Sequence, residues 1–239
     1  MRKLVIIPTY NERENIEAMI HRVMGLRGGF DLLIIDDGSP DGTAGEVRRL
    51  QGQYPERLRL IERAGKQGLG TAYIAGFRLA LREGYDCVAE MDCDFSHDPE
   101  DLERLFEAVS AGADVAIGSR YVRGGKVVGW PLSRLMISYG GSLYVRMVTW
   151  MPVHDTTAGF VCYSRHALER IDLDRVRMKG YGFQIEMKYT AWRLGLRLRE
   201  LPITFTERRV GASKMSGGIF GEALLGVLRL RFRKIRPRL

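Results

Sequence analysis

The chain has 239 residues, 45% hydrophobic and 28% charged, which suits one principal domain with a large core, or a catalytic domain with a short appendage. Its formal charge of +8 invites an anionic partner such as phosphorylated substrates, an acidic membrane surface or nucleic acid. Three cysteines without paired ligand spacing exclude a disulfide framework and a zinc cluster, and no stretch approaches the roughly 20 apolar residues that would span a bilayer.

Residues 4–7 are a continuous apolar run, the pattern of a strand buried on both faces, and Pro8-Thr9-Tyr10-Asn11-Glu12 ends it in a polar turn. Only about four apolar residues precede Pro8, too few for the apolar region of a signal peptide, while the odd number of cysteines without paired spacing fits a reducing cytosol. Ile16, Met19, Ile20 and Val23 recur at helical spacing, and Gly28-Gly29 closes that helix ahead of a second buried strand over 32–35. This β-α-β order predicts a parallel sheet. The second strand ends in Asp36-Asp37-Gly38-Ser39-Pro40-Asp41-Gly42-Thr43, where turn chemistry explains Gly38, Pro40 and Gly42 but not the acid pair. A helix over 44–54, a strand over 58–61 and a helix over 72–81 follow. Before the last lies Lys66-Gln67-Gly68-Leu69-Gly70-Thr71, which is no Rossmann fingerprint, because Tyr73 stands where the third glycine belongs, and no P-loop. It is either an anion-suited helix N-terminus or a plain capping loop.

Residues 88–91 read as a further buried strand running into Asp92-Cys93-Asp94-Phe95-Ser96-His97. Two carboxylates one residue apart at a strand end are hard ligands for Mg²⁺ or Mn²⁺, with waters and substrate phosphates completing the shell. A helix over 99–111 and a strand over 115–118 follow, the strand ending at Ser119-Arg120. Tyr10 and Glu12, Asp36 and Asp37, Asp92 and Asp94, and Arg120 therefore fall at successive strand ends, the rim where open parallel sheets bind ligands.

Residues 131–150 are rich in apolar and aromatic side chains, with Arg134, Ser138, Ser142 and Arg146 at i, i+4 spacing. A helix here, broken or not at Gly140-Gly141, carries a polar seam on an apolar surface, and either packs on the domain or lies against lipid. A strand over 161–163, a helix over 182–194 and a last strand over 198–205 follow, Pro202 marking the last as an edge. Residues 207–214 contain three cations, Arg208, Arg209 and Lys214, in a loop that either closes on phosphates or is simply solvated. The terminus from 219 to 239 is basic and amphipathic, with Phe220, Leu224 and Leu228 on one face and Arg229, Arg233 and Arg236 on another. It suits a membrane surface, the domain itself or a partner.

The motifs Pro8 to Glu12, Asp36 to Thr43, Lys66 to Tyr73, Met91-Asp92-Cys93-Asp94, Gly118-Ser119-Arg120-Tyr121, Trp130-Pro131 and Gly211 to Met215 resemble, in order, the polyprenyl-phosphate (dolichyl-phosphate) mannose synthases of family 2 glycosyltransferases. The resemblance implies a GT-A, Rossmann-like α/β fold: a mostly parallel sheet flanked by helices, with amphipathic interfacial helices and no transmembrane segment. It implies a glycosyltransferase domain over 1–217, including the amphipathic segment 131–152, and a basic C-terminal helix over 218–239. By the same resemblance Pro8, Tyr10, Glu12 and Asp37 hold the guanosine of GDP-mannose, and Asp92 and Asp94 hold Mg²⁺ or Mn²⁺ on its diphosphate. Arg208 and Lys214 grip phosphate, while Arg120, Arg134 and Ser138 receive the phosphate of a polyprenyl lipid. Asp94 and Arg120 are the expected catalytic pair. Position 96 is often glutamine in relatives, where it joins the metal shell; Ser96 offers a shorter oxygen. Cys93 stands where alanine is usual.

The implied reaction is a single in-line displacement with inversion, on the cytoplasmic face of a membrane, with a membrane protein as a further possible partner. A transferase using UDP-glucose or another sugar nucleotide is the alternative. A nucleic-acid partner is not expected, because no helix-turn-helix, RRM or C₂H₂ pattern occurs, and the intact acidic pairs argue against a non-catalytic sugar-nucleotide sensor.

Overall fold

The apolar runs assemble as their patterning requires. In the computed structural model, which describes residues 1–178, 180–207 and 218–238, with backbone alone for 218–224, β1 (Lys3–Thr9) pairs in parallel with β2 (Asp31–Asp36) and β4 (Cys87–Glu90), and β2 with β3 (Leu58–Glu62). The crossovers are α1 (Arg13–Met24), α2 (Thr43–Gln51) and α3 (Leu69–Arg82). Successive side chains of a strand face opposite ways, so Leu4 and Ile6 enter one core with Tyr73, Phe77 and Phe183, while Val5 and Ile7 enter a second with Ile16, Ile20 and Phe106. Each such apolar side chain contributes about 1.5–3 kcal/mol on burial. At Gly76 a Cβ would come within 2.5 Å of Ile6 Cδ1, so glycine lets α3 lie directly on β1.

Beyond β4 the order changes. After α4 (Asp101–Ser110) come β5 (Val115–Ser119), β6 (Lys126–Val128), α5 (Leu132–Thr149) and β7 (Val161–Ser164). The strand β7 inserts antiparallel between β4 and β5, and β8 (Leu198–Pro202) pairs in parallel with β5 at the edge, so the sheet reads β3-β2-β1-β4-β7-β5-β8. All strands except β7 direct their carboxyl ends to the same edge.

The strand expected over 198–205 is two. Ile203 N–H donates to Ser119 O at 3.1 Å while its own carbonyl accepts from Lys126 N at 2.9 Å, so the chain leaves β5 there and β9 (Thr204–Thr206) pairs with β6 instead. Pro202 does fall in the edge strand. The helix α5 runs unbroken through Gly140-Gly141. It is followed by α6 (Arg165–Arg170), a 3₁₀ turn at Leu173–Arg175, α7 (Tyr181–Arg193) and α8 (Gly218–Phe232). The helix α8 docks through Val227 and Leu230, whereas Leu228 is exposed; the stripe anticipated through Phe220 and Leu224 lies outside the described side chains. No described helix is long and apolar enough to cross a membrane.

Candidate active site

At the carboxyl ends of β1 and β2 the two acids divide their work. Asp36 faces inward and holds the turn: Oδ1 accepts from Thr9 Oγ1 at 2.9 Å and Ser39 Oγ at 2.6 Å, and Oδ2 from Ser39 N at 2.8 Å. Asp37 pairs with Arg63, whose Nε lies at 2.5 Å, and accepts from Gln67 N at 3.3 Å. Arg63 also donates to Thr71 Oγ1 and Gly68 O, and so fastens the 66–71 loop beside β2. Asn11 N and Glu12 N donate to Ser39 Oγ and Thr43 Oγ1 at 2.9 and 3.0 Å, lacing the first turn to the second. Lys66 Nζ lies 5.0 Å from the Tyr10 ring centroid. Pro8 is half-buried in register with Ile35. Pro8, Tyr10, Glu12 and Asp37 thus gather at the adjoining ends of β1 and β2.

Asp92 and Asp94 follow β4 directly. Phe95 adopts φ +57°, a left-handed turn rare outside glycine, and Ser96 N and Oγ then donate to Asp94 Oδ1 at 3.0 and 2.6 Å. The Ser96 hydroxyl therefore orients Asp94. Cys93 is buried in the second core. Among the described residues no three His, Cys, Asp or Glu side chains gather into a complete metal site. Two carboxylates at a strand end are nevertheless the partial set that fits a hard cation whose remaining ligands are waters and phosphate oxygens. His97 is fully buried between Phe160 and Phe205, and burial pushes its pKa down to about 4, so the ring is neutral.

Asp92, Asp94 and Ser96 share one open cleft with Arg120, Trp130, Arg134 and Ser138; it encloses about 1400 Å³ including its mouth. Arg120, at the end of β5, is held by Asp155, Nε and Nη2 each donating at 2.7 Å, and Nη2 also reaches Thr157 Oγ1 at 3.0 Å. Burial works against its charge, but the hydrogen bonds and charge of Asp155 more than offset that and raise its pKa. Arg134, on α5, pairs with Glu207 and lies over the Trp130 ring at 4.1 Å. One turn on, Ser138 Oγ accepts from Tyr121 O–H at 2.7 Å. The polar seam therefore faces the cleft at 134 and 138, and at 142 meets Thr156 Oγ1 at 3.3 Å. The opposite face of α5 exposes Leu132, Met136, Tyr139, Leu143 and Met147, and Trp150 is exposed just past its end. Arg208 and Lys214 lie outside the described residues.

A buried polar group behind the cleft was not anticipated, and of its members only Gln184 lines the cleft. Glu90, Gln184 and Lys188 are all buried. Gln184 Nε2 donates to Glu90 Oε2 at 2.8 Å, and Lys188 Nζ donates to Ala158 O at 2.7 Å, Thr156 O at 3.2 Å and Gln184 O at 3.3 Å. Desolvation pushes Glu90 up to about 8 and Lys188 down to about 8. Lys188 thereby fixes the 155–159 loop, whose Asp155 and Thr157 hold Arg120. The sequence carries no distinct signal for this group, because Gln184 and Lys188 at i, i+4 spacing read as an ordinary solvated pair.

A mostly parallel sheet with two acids after β4 and a cleft along its carboxyl edge is the arrangement of a glycosyltransferase of the GT-A class. The chain superposes on glucosyl-3-phosphoglycerate synthase from Mycobacterium tuberculosis, in complex with Mn²⁺, UDP and glucosyl-3-phosphoglycerate, with TM-score 0.73 over 96% of this chain and 79% of that one, at 19% identity. The model of "Glycosyl transferase family 2" matches residues 4–172. Undecaprenyl-phosphate mannosyltransferase of Micrococcus luteus is 49% identical over 243 residues, 100% of this chain and 99% of that protein. Polyprenol monophosphomannose synthase of Mycolicibacterium smegmatis is 50% identical over 226 residues, 95% of this chain and 85% of that protein. The chain belongs to glycosyl transferase family 2, in the branch of the polyprenyl-phosphate mannose synthases.

Proposed function

We propose that this chain transfers mannose from GDP-mannose to a polyprenyl phosphate, inverting the anomeric carbon, at the cytoplasmic surface of a membrane. The observation that carries the reading is one cleft lined both by Asp92 and Asp94 and by Arg134 and Ser138. The names of the two relatives support the polyprenyl acceptor and the mannosyl group.

Guanosine lies against Pro8 and Tyr10, with Glu12 and Asp37 accepting from its N–H and O–H groups. Asp92 and Asp94, with Ser96 bracing Asp94, would hold Mg²⁺ or Mn²⁺, which supplies positive charge to the departing diphosphate. Arg208 and Lys214 complete the phosphate contacts from their own segment. Across the cleft Arg134 and Ser138 receive the acceptor phosphate, and Arg120, held by Asp155, forms the wall that positions it.

The acceptor is already an anion, with its second pKa near about 6 for a phosphate monoester, so no side chain has to remove a proton. One acceptor oxygen forms a bond to the anomeric carbon as the bond from that carbon to the diphosphate oxygen breaks, and GDP leaves with the electron pair. What the protein contributes is alignment and compensation of charge between two anions. The exposed apolar face of α5 enters the lipid headgroup layer and brings the cleft to the acceptor; a membrane protein that recruits the chain would act at the same surface. The test is a donor panel of GDP-mannose, UDP-glucose and UDP-GlcNAc against one polyprenyl phosphate. Preference for GDP-mannose is expected, and faster transfer from UDP-glucose would replace this reading.

A further inference from the structure

The floor of the cleft holds a hydrogen-bonding group that the proposed chemistry leaves unused. Gln184 projects from the first turn of α7 and lines the cleft with Asp92, Asp94 and Tyr181, although its side chain is almost wholly buried. Its Nε2 is committed to Glu90 Oε2 at 2.8 Å. Its Oε1 is buried with no hydrogen-bond partner among the described residues. A buried carboxamide oxygen without a donor is costly and uncommon in a folded protein. Beside a cleft it marks a place where a ligand supplies the donor.

We propose that Gln184, oriented by Glu90, accepts a hydrogen bond from a hydroxyl of the transferred sugar. The inference rests on the donor reading above and deepens it by assigning the residue that reads the sugar rather than the nucleotide. The matching ligand group must bring a proton and no negative charge. Ionised phosphate oxygens bring no proton, and the lone pairs of Oε1 repel them, which excludes both the diphosphate and the acceptor phosphate. The sugar ring is the part of the substrates rich in hydroxyls. It must also lie between the Asp92–Asp94 end of the cleft, where the diphosphate departs, and the Arg134–Ser138 wall, where the acceptor waits. Gln184 borders that space.

The test uses the full chain with Mg²⁺, a series of deoxy analogues of GDP-mannose, and the variants Gln184→Met and Gln184→Glu. In wild type, removing one particular hydroxyl is expected to lower kcat/KM about 10- to 100-fold, the range of one lost hydrogen bond to a buried acceptor. Gln184→Met is expected to bind GDP as wild type does, to lose about the same factor with GDP-mannose, and to show no further penalty for that analogue. Gln184→Glu keeps an acceptor oxygen and is expected to retain the penalty. The inference is overturned if no analogue costs wild type more than about twofold, if Gln184→Met keeps the full penalty, or if GDP and GDP-mannose weaken alike. If Gln184→Met fails to fold, Gln184→Asn, which withdraws the acceptor oxygen by one methylene, carries the same comparison: loss of the penalty supports the inference and its full retention overturns it. A wild type inactive with GDP-mannose refutes the donor reading instead, and the deoxy series of the sugar nucleotide that it does accept then decides this one.

Discussion

Arg120 and Asp155 form a two-point fork inside the cleft wall: each oxygen of the Asp155 carboxylate takes one guanidinium N–H at 2.7 Å, and the backbone N–H of Arg120 adds a third bond at 3.0 Å. Asp155 is 0% exposed. The arginine assigned on sequence grounds to the acceptor phosphate is thus neutralised locally by a partner 35 residues away. Arg134, whose pair with Glu207 is partly exposed, is better placed to exchange its carboxylate for a phosphate.

This contrast separates two variants. Asp155→Ala leaves a buried guanidinium without its counter-charge, a change that costs about 3–5 kcal/mol, and urea unfolding should register a loss of that size. Arg134→Ala removes an exposed pair worth at most about 1 kcal/mol; its stability should hold while the KM for polyprenyl phosphate rises by tenfold or more.

Lys188 gives a pH signature. Burial, with the like charge of Arg120 adding to it, lowers its pKa from the ordinary 10.5 to about 8 in the folded chain, against the favourable charges of Asp155, Glu90 and Glu200. Between those two values the unfolded chain binds more protons than the folded one, so this group makes stability rise with pH across the window from about 8 to 10.5, and contributes no slope below it. The stability of wild type relative to Lys188→Met should therefore be flat up to pH 8 and shift in favour of wild type above it. Thermal melts of both proteins across pH 6–10 read this directly.

Removing divalent metal with EDTA should abolish transfer, and Mg²⁺ or Mn²⁺ should restore it. Asp94→Ala should lose transfer by about a thousandfold or more while its melting temperature stays within a few degrees of wild type, because its side chain bonds locally to Ser96. Retained activity in Asp94→Ala, measured with radiolabelled donor, would remove the residue from the metal role.

The exposed stripe on α5 should carry membrane affinity. Replacing Leu132 and Met136 together by glutamate places two charges at positions that are 71% and 65% exposed. Co-sedimentation with vesicles containing anionic lipid should fall several-fold, while activity on a short, water-soluble polyprenyl phosphate should change little.

The sheet and rim were legible because fully buried strands read as unbroken apolar runs, as at 4–7 and 32–35, and because acids at strand ends have no packing reason to be there. What could not be read depends on pairing across long stretches of sequence. The insertion of β7 against β4 and β5, the Asp155–Arg120 fork and the Glu90–Gln184 bond each join residues from 35 to 94 positions apart. Lys188 looks like any surface lysine until the helix around it proves buried. The docking face of the terminal helix was hidden for a related reason: Val227 and Leu230 are buried there, and the face that meets α5 and α7 is set by those partners and not by the helix's own pattern.

The central claim is mannosyl transfer from GDP-mannose to a lipid phosphate with inversion. The most direct measurement incubates the purified chain with GDP-mannose, Mg²⁺ and a polyprenyl phosphate, identifies the lipid product by mass, and reads its anomeric configuration by NMR coupling. The account predicts one hexose per lipid phosphate, GDP released in equal amount, and a β-mannosyl linkage from the α-linked donor. An α-linked product, or GDP release with no lipid-linked hexose, would contradict it.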